Sequence, residues 1–182
     1  TGPLGQGRVG WRRKMSTMNG SVETMIKVKA AEPAQLPEVY RFYQEICETL
    51  KGAEYSPLWV YGAHPSEESL KQAVEQQTMH LAWQGAHIAS AVVLEESPAG
   101  WWLHLLAVHP AFRGQNLGGE LLTRMADLAR ARGGTTLLLD VVEGNLPAIR
   151  LYERLGFVPT GRREEFQNFC GHVMLREYAC AL

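Results

Sequence analysis

A glycine-rich turn between a predicted strand and a predicted helix carries the clearest chemical signal in this chain of 182 residues. The apolar run Trp101–Val108 is followed by Arg113-Gly114, and Gly118-Gly119 then opens an amphipathic segment. Backbone N–H groups converge at such a helix N-terminus, where the helix dipole adds partial positive charge. Arg113 adds a full charge beside them. The sequence therefore predicts a binding site for a phosphorylated cofactor.

Composition excludes several classes of function. The formal net charge is −1, with 18 Lys and Arg against 19 Asp and Glu, which argues against binding to nucleic acid or to an anionic membrane. No apolar run approaches the roughly 20 residues that span a bilayer. The three cysteines are scattered and, with six histidines, show no metal-ligand spacing. We therefore expect a cytoplasmic protein that uses no metal.

The beginning of the chain differs in composition from the remainder. Its first 20 residues hold four basic residues, no acidic residue and five glycines, without the continuous apolar stretch of a secretory signal. We expect residues 1–24 to lie outside the fold, as a tail or an extension ahead of a later start. Residues 25–182 are then expected to form a single domain.

Apolar periodicity predicts alternating strands and helices. A strand at Met25–Glu32 precedes a helix at Leu36–Leu50, and a second helix runs from Ser66 to about Gln77. The pattern further predicts strands His80–Trp83, His87–Glu95 and Trp101–Val108, a helix from Leu117 that ends near Gly133-Gly134, strand Thr135–Val142, helix Pro147–Leu155, and strands Phe157–Gly161 and Phe169–Tyr178. Strand Thr135–Val142 is apolar enough to be central and buried on both faces. The order is β-α-α-β-β-β-α-β-α-β-β, an α/β chain with a mixed sheet.

Two segments give the chain its resemblance to the GNAT superfamily of acyl-CoA-dependent N-acetyltransferases. The first, LLAVHPAFRGQNLGGELL, is similar to the pyrophosphate motif (Arg/Gln)-x-x-Gly-x-(Gly/Ala), and Arg113 and Gly118 match it. Asn116 replaces the first motif glycine, and asparagine tolerates the left-handed backbone that such a glycine adopts. The second, NLPAIRLYERLGF, resembles the signature Asn-x-x-Ala-x-x-x-Tyr-x-x-x-Gly-Phe and spans Asn145–Phe157. The element order also fits that fold.

The resemblance implies where acetyl-CoA would bind. It would lie between two parallel strands that splay apart, Trp101–Val108 and Thr135–Val142, with its pantetheine arm paired to the backbone of the first. The turn after that strand would hold the pyrophosphate, and Asn145 would contact the pantetheine from the other side. The residues expected to bind the cofactor are Leu106, Ala107, Val108, Arg113, Gly114, Gln115, Asn116, Leu117, Gly118, Gly119, Asn145, Ala148 and Tyr152.

The implied reaction is direct transfer of an acetyl group to a primary amine in a ternary complex. A base must remove a proton from the amine, and a backbone N–H of the first splayed strand is the natural donor to the carbonyl oxygen. Tyr152 occupies the position of the family's general acid and would protonate the leaving thiolate. The alternative for Tyr152 is simple packing of its ring against the sheet.

Candidate bases are His104 and Asp140, with Glu143 as a further rival. Strand alternation places His104 on one face with Trp102, Leu106 and Val108. Asp140 interrupts an apolar strand, where a carboxylate is costly unless it is used or paired. A purely structural role stays open for both His104 and Asp140.

The loop between the first two helices is expected to form the acceptor pocket, through Glu54, Tyr55 and Trp59. The alternative for the aromatic residues, which stays open, is that they only anchor a long loop. The acceptor would be a small-molecule or peptide amine, and the resemblance allows a homodimer formed through the C-terminal strands with Phe166 and Phe169. The alternatives are a non-catalytic acyl-CoA sensor of the same fold and transfer of a longer acyl group.

Overall fold

Seven strands form one mixed sheet in residues 26–182, the part of the chain that the computed structural model describes. The strands are β1 Lys27–Ala30, β2 Met79–Gln84, β3 His87–Ser97, β4 Gly100–Val108, β5 Thr136–Val142, β6 Val158–Asn168 and β7 Gly171–Ala181. The helices are α1 Leu36–Leu50, α2 Glu67–Glu75, α3 Leu117–Ala131 and α4 Leu146–Arg154, with short 3-10 turns at Pro33–Gln35 and Pro110–Phe112. The predicted tail and Met25 lie outside the described residues.

The sheet order is β1-β2-β3-β4-β5-β7-β6. Strands β4 and β5 are parallel and joined through α3, whereas every other neighbouring pair is antiparallel. This arrangement confirms the predicted α/β fold with a mixed sheet and the predicted order of the main elements.

Helices cover both faces of the sheet. On β2 and β3, neighbouring residues belong to opposite cores: Leu81 and Ala91 pack with α1 and α2, while Ala82 and Val92 pack with α3. Such alternation follows from the two-residue repeat of a strand. The sheet is therefore the middle layer of three, and α3 and α4 lie on the face opposite α1 and α2.

The helix starts follow their sequence signals. The Ser66 hydroxyl accepts a hydrogen bond from the Ser69 backbone N–H at 3.1 Å, and the Ser69 hydroxyl accepts one from the Ser66 backbone N–H at the same length. Asn145 caps α4 by accepting from the Ala148 N–H at 3.3 Å, with Pro147 in the first turn. These side chains satisfy N–H groups that a helix leaves without an internal partner.

The C-terminal hairpin is longer than its prediction. The prediction ended one strand at Gly161 and began the next at Phe169, but β6 continues to Asn168 and Phe169 lies in the turn before β7. The added residues include Arg162, Arg163 and two glutamates, and nearly all of β6 is exposed. As the edge strand it takes its hydrogen bonds from β7 alone, so it needs no apolar pattern to form.

Strand β5 is central, as predicted, but it is not buried along its whole length. Leu137, Leu138 and Leu139 are buried, whereas Asp140 is exposed before Val141 and Val142 become buried again. The sheet opens beside Asp140, which gives the carboxylate access to water and lowers, without removing, the desolvation cost expected for it in a closed sheet.

A bulge in β4 confirms the predicted placement of His104 with Trp102 but makes its predicted placement with Leu106 and Val108 wrong. Leu103 packs on the α3 face, Leu105 on the α1 face and Leu106 again on the α3 face, so the alternation shifts by one residue. Leu105 has the left-handed φ of 53°, and the register with β3 slips at the same place. An inserted residue reverses the faces that follow it. His104 therefore stacks on Trp102 but lies on the face opposite Leu106.

Candidate functional site

Strands β4 and β5 separate after only three paired positions. Trp101, Trp102 and Leu103 pair with Leu137, Leu138 and Leu139, and the pairing ends there. Beyond this point β4 remains bonded to β3, and β5 remains bonded to β7. A cavity of about 640 Å3 occupies the opening and is lined by the second half of both strands, the start of α3 and one side of α4. This is the splay that the resemblance implied.

The start of α3 presents unsatisfied backbone donors to this cavity. Asn116 precedes the helix with the left-handed φ of 56°, the conformation expected of the residue that replaces the motif glycine. Within the described residues its side chain caps none of the N–H groups that follow. The N–H groups of Leu117, Gly118 and Gly119 therefore lack a partner from the helix itself. All three residues line the cavity, where they can bind an anion.

Gly119 leaves room for the Asn116 side chain at the first turn of α3. A Cβ atom there would lie 2.5 Å from the Asn116 Oδ1 atom, so a larger residue would displace the Asn116 side chain. Glycine thus allows Asn116 to fold back over the first turn.

The turn before α3 supplies a positive charge. Arg113 and Gly114 line the cavity, and Arg113 is exposed and forms no ion pair within residues 26–182. Gln115, also expected to bind the cofactor, instead accepts a hydrogen bond from Gln84 at 3.1 Å and does not line the cavity. The guanidinium of Arg113 is therefore the charged group of this turn that a ligand can reach.

Helix α4 forms the opposite wall. Asn145, Ala148 and Tyr152 line the cavity together with Leu151, and Asn145 uses only its carbonyl oxygen as a cap, which leaves its Nδ2 group as a donor. Arg154 also lines the cavity and was not among the expected residues. It lies three residues after Leu151, and residues three or four apart share a helix face, so this spacing could have indicated that Arg154 lies on the cavity side of α4.

Tyr152 is buried in the wall of the cavity. It is 9% exposed, and its ring meets Phe157 at 5.9 Å between centroids. Burial disfavours the charged phenolate and raises the pKa of Tyr152 to about 12. The hydroxyl therefore keeps its proton throughout the physiological pH range and is available as a donor.

A second, polar cavity of about 320 Å3 adjoins the first. It is lined by Trp102, His104, Asp140, Arg162, Arg163, Glu164 and Glu177, and Asp140 lines both cavities. We call this second cavity the polar groove. His104 belongs to the groove alone, where its Nε2 atom lies 3.5 Å from Glu95. The two candidate bases are thus placed differently, and only Asp140 lies at the junction.

Asp140 forms no ion pair within residues 26–182, and the nearby His104 and Arg162 favour its charged form only in part. Arg162 lies 3.6 Å from Glu177, and Arg163 bonds to Glu143 at 3.1 Å through Nε. Desolvation by the surrounding protein, followed by the nearby Glu177 and Glu164 carboxylates, raises the pKa of Asp140. A positively charged ligand at this junction would relieve that repulsion.

The loop between α1 and α2 closes one end of the first cavity. Tyr55 and Trp59 line it as expected, whereas Glu54 does not. Thr49 and Leu50, at the end of α1, also line it and were not anticipated. The apolar spacing had marked Leu50 only as a residue of the helix, because sequence periodicity does not show where a helix end meets a cavity.

A family comparison identifies this arrangement. The model of the acetyltransferase (GNAT) family matches residues 37–157, which include the splayed strands, α3 and α4. The chain belongs to the GNAT family.

The relatives of this GNAT chain share part of their length with it. It is 40% identical over 88 residues to the ribosomal protein bS18-alanine N-acetyltransferase of Salmonella typhimurium, a match that covers 48% of this chain and 57% of that protein. It is 43% identical over 56 residues to the streptothricin acetyltransferase of Streptomyces lavendulae, which covers 31% of this chain and 30% of the other. The chain thus matches little more than half of one relative and a third of the other.

Solved structures share the fold over a greater length. The PaiA N-acetyltransferase of Thermoplasma acidophilum, solved in complex with coenzyme A, superposes with a TM-score of 0.68 and covers 87% of this chain and 99% of its own. The two sequences are 15% identical, so the likeness concerns the fold alone.

Two features are absent from residues 26–182. None of the helices there is long and apolar enough to cross a membrane. In the same residues, no three His, Cys, Asp or Glu side chains are grouped as a metal site.

The buried position of Tyr152 predicts an unusual titration. With a pKa of about 12, only about 1% of its phenol should be ionised at pH 10, where an exposed tyrosine is half ionised. NMR of protein labelled with 13C at the tyrosine Cζ atoms measures this directly, and Tyr152→Phe assigns the resonance. Ionisation of that resonance with a midpoint near pH 10 would contradict the burial argument.

Proposed function

We propose that this GNAT chain transfers an acetyl group from acetyl-CoA to a primary amine carried by a small molecule or a peptide. The observation that carries the proposal is one cavity that joins three features. These are the uncapped start of α3, the unpaired halves of β4 and β5, and the buried hydroxyl of Tyr152.

The donor set of the first cavity fits acetyl-CoA. The free N–H groups of Leu117, Gly118 and Gly119, with the Arg113 guanidinium, suit a diphosphate. The backbone of Leu106 and Val108, which β5 does not pair, suits an extended arm that bears amides, and Asn145, whose Nδ2 group is not used in the cap, lines the same cavity from α4. When bound, acetyl-CoA supplies an acetyl group activated as a thioester.

Tyr152 acts as the general acid. As the amine nitrogen bonds to the acetyl carbon and the carbon–sulfur bond breaks, the departing sulfur takes a proton from the Tyr152 hydroxyl. The proton that the nitrogen loses on becoming an amide is released to solvent, and a solvent proton restores the phenol. A pKa of about 12 keeps this proton in place at the working pH, although it makes Tyr152 a weaker acid than a free tyrosine. The mechanism therefore relies on position rather than on acidity.

Asp140 is the better of the two candidate bases. It lies where the polar groove meets the acetyl-CoA cavity, whereas His104 faces away from Leu106 and lies beside Glu95. The raised pKa of Asp140 lies closer to the pKa of an amine than that of an ordinary aspartate does. This favours transfer of a proton from the amine to the carboxylate. The proton removed from the ammonium group passes to Asp140, and the neutral amine can then attack.

The polar groove is the entrance that we assign to the acceptor. Its carboxylates attract a protonated amine, and Tyr55 and Trp59 border the adjoining cavity. The names of the two relatives support both a peptide amine and a small-molecule amine as acceptor. One name refers to an alanine of a ribosomal protein, and the other refers to streptothricin.

Thiol release from acetyl-CoA tests the proposed function. We expect coenzyme A to appear when the protein is supplied with members of a panel of polyamines, aminoglycosides, amino acids and peptides. Tyr152→Phe should lower kcat by roughly 10²–10⁴-fold with little change in acetyl-CoA affinity, because only the proton donor is lost. Binding of acetyl-CoA without release of thiol for any amine class would instead favour a sensor.

Reversal of the charge at Arg113 should weaken the binding of acetyl-CoA. We expect Arg113→Glu to raise the dissociation constant by roughly 10- to 100-fold, because a carboxylate would face the diphosphate. Arg124→Glu, an exposed change on α3 outside the cavity lining, is the matched control for net charge. Isothermal titration calorimetry should separate the two variants, and equal affinities would refute the phosphate contact.

Replacement of Asp140 tests the assigned base. Asp140→Asn should lower kcat/KM by roughly 10²–10⁴-fold and remove the fall in activity at low pH, because that fall reflects protonation of the carboxylate. The sign follows from its raised pKa: activity is full above that pKa and is lost as the pH drops through it. Glu164→Gln, which changes the groove but not the junction, should have a much smaller effect. An acidic limb that persists in Asp140→Asn would assign the base elsewhere.

A further inference from the structure

A tyrosine of α1 is bonded to the bulge of β4. Tyr43 is fully buried, and its hydroxyl donates a hydrogen bond of 2.8 Å to the backbone carbonyl of Leu105, 62 residues further along the chain. Leu105 is the residue with a φ of 53°, a conformation that a leucine rarely adopts. The hydrogen bond therefore holds the one peptide at which β4 departs from a regular strand.

This bond fixes the direction of the next N–H group. The peptide between Leu105 and Leu106 is trans, so its C=O and N–H bonds point in opposite directions. Because the carbonyl points to α1, the N–H of Leu106 points away from α1 and towards the face that carries α3 and α4. Tyr152 lies on that face, and both Leu106 and Tyr152 line the acetyl-CoA cavity.

We propose that Tyr43 is a positioning residue that aims the Leu106 N–H at the thioester carbonyl oxygen. The inference rests on the proposed function and adds a residue outside the two sequence motifs. A donor fixed before the reaction stabilises the developing oxyanion without reorganisation at that moment. Tyr43 contributes by holding the donor and touches neither substrate.

The surroundings of Tyr43 suit this role. Its ring meets Phe42 edge-on at 5.2 Å and Trp59 at 6.4 Å, so the hydroxyl has little freedom to move. Burial raises the pKa of Tyr43 well above its usual range, so the hydroxyl remains a donor at every working pH. A phenylalanine would keep the ring contacts and lose only the hydrogen bond.

The variant Tyr43→Phe tests this inference through a split between turnover and binding. We expect kcat to fall by about 10- to 100-fold because the oxyanion donor is less well aimed, while the affinity for acetyl-CoA changes by less than about threefold. A residue that only supports the fold would change both quantities together or neither of them.

Val39→Ala is the matched control for loosening of α1. Val39 is fully buried on the same helix, one turn before Tyr43, and in the same core. Its truncation should lower the melting temperature without lowering kcat. An equal loss of kcat in both variants, or an unchanged kcat in Tyr43→Phe, would overturn the positioning role.

A readout without turnover separates this inference from the proposed function. In protein labelled with 15N-leucine, the Leu106 amide resonance should shift when acetyl-CoA is added to the wild type and should shift much less in Tyr43→Phe. Equal shifts in the two proteins would overturn the inference even if acetyl transfer is confirmed. Failure of the wild type to bind acetyl-CoA would overturn the proposed function, and the inference with it.

Discussion

The site depends on hydrogen bonds that two neighbouring strands do not make. Strands β4 and β5 pair from Trp101 to Leu103 and then separate, although each stays bonded to its outer neighbour. The sheet therefore remains continuous at one end and opens at the other. The opening exposes backbone groups in the middle of the protein, where they would otherwise be satisfied by a strand. An extended ligand with amide groups can take the place of those missing bonds.

The helices around the opening provide the remaining chemistry. The start of α3 offers backbone N–H groups to an anion, and α4 places Tyr152 in the opposite wall. On the other face, α1 holds the bulge of β4 through Tyr43. Each helix therefore acts on the opening from a different direction, which explains why the functional residues are spread over most of the described chain.

Features that depend on local sequence could be predicted. The periodicity of apolar residues gives the order of elements, and the turn from Arg113 to Gly119 gives the start of α3. The left-handed backbone of Asn116 follows from its residue type. The wedge itself was inferred from the resemblance of two motifs, since no local pattern states that two parallel strands will part.

Features that depend on contacts between distant residues could not be predicted. The bulge at Leu105 has no signature in the sequence, and it moves Leu106 to the face opposite the one that it was predicted to share with His104. The polar groove at Asp140 is lined by four strands, β4 to β7, which come together only in the folded sheet. The bond from Tyr43 spans 62 residues, so its hydroxyl could not be told apart from those of other core tyrosines.

The two edge strands of the sheet, β1 and β6, affect whether another chain can pair with it. Edge strand β1 is four residues long and carries two lysines, while β6 carries a proline near its start and four consecutive charged residues. Short, charged or proline-bearing edges discourage the addition of a foreign strand and so protect against aggregation. Both edges of the sheet thus disfavour pairing with another chain. In the described part of the chain, the gap between β4 and β5 is the place where an extended molecule can pair with the sheet.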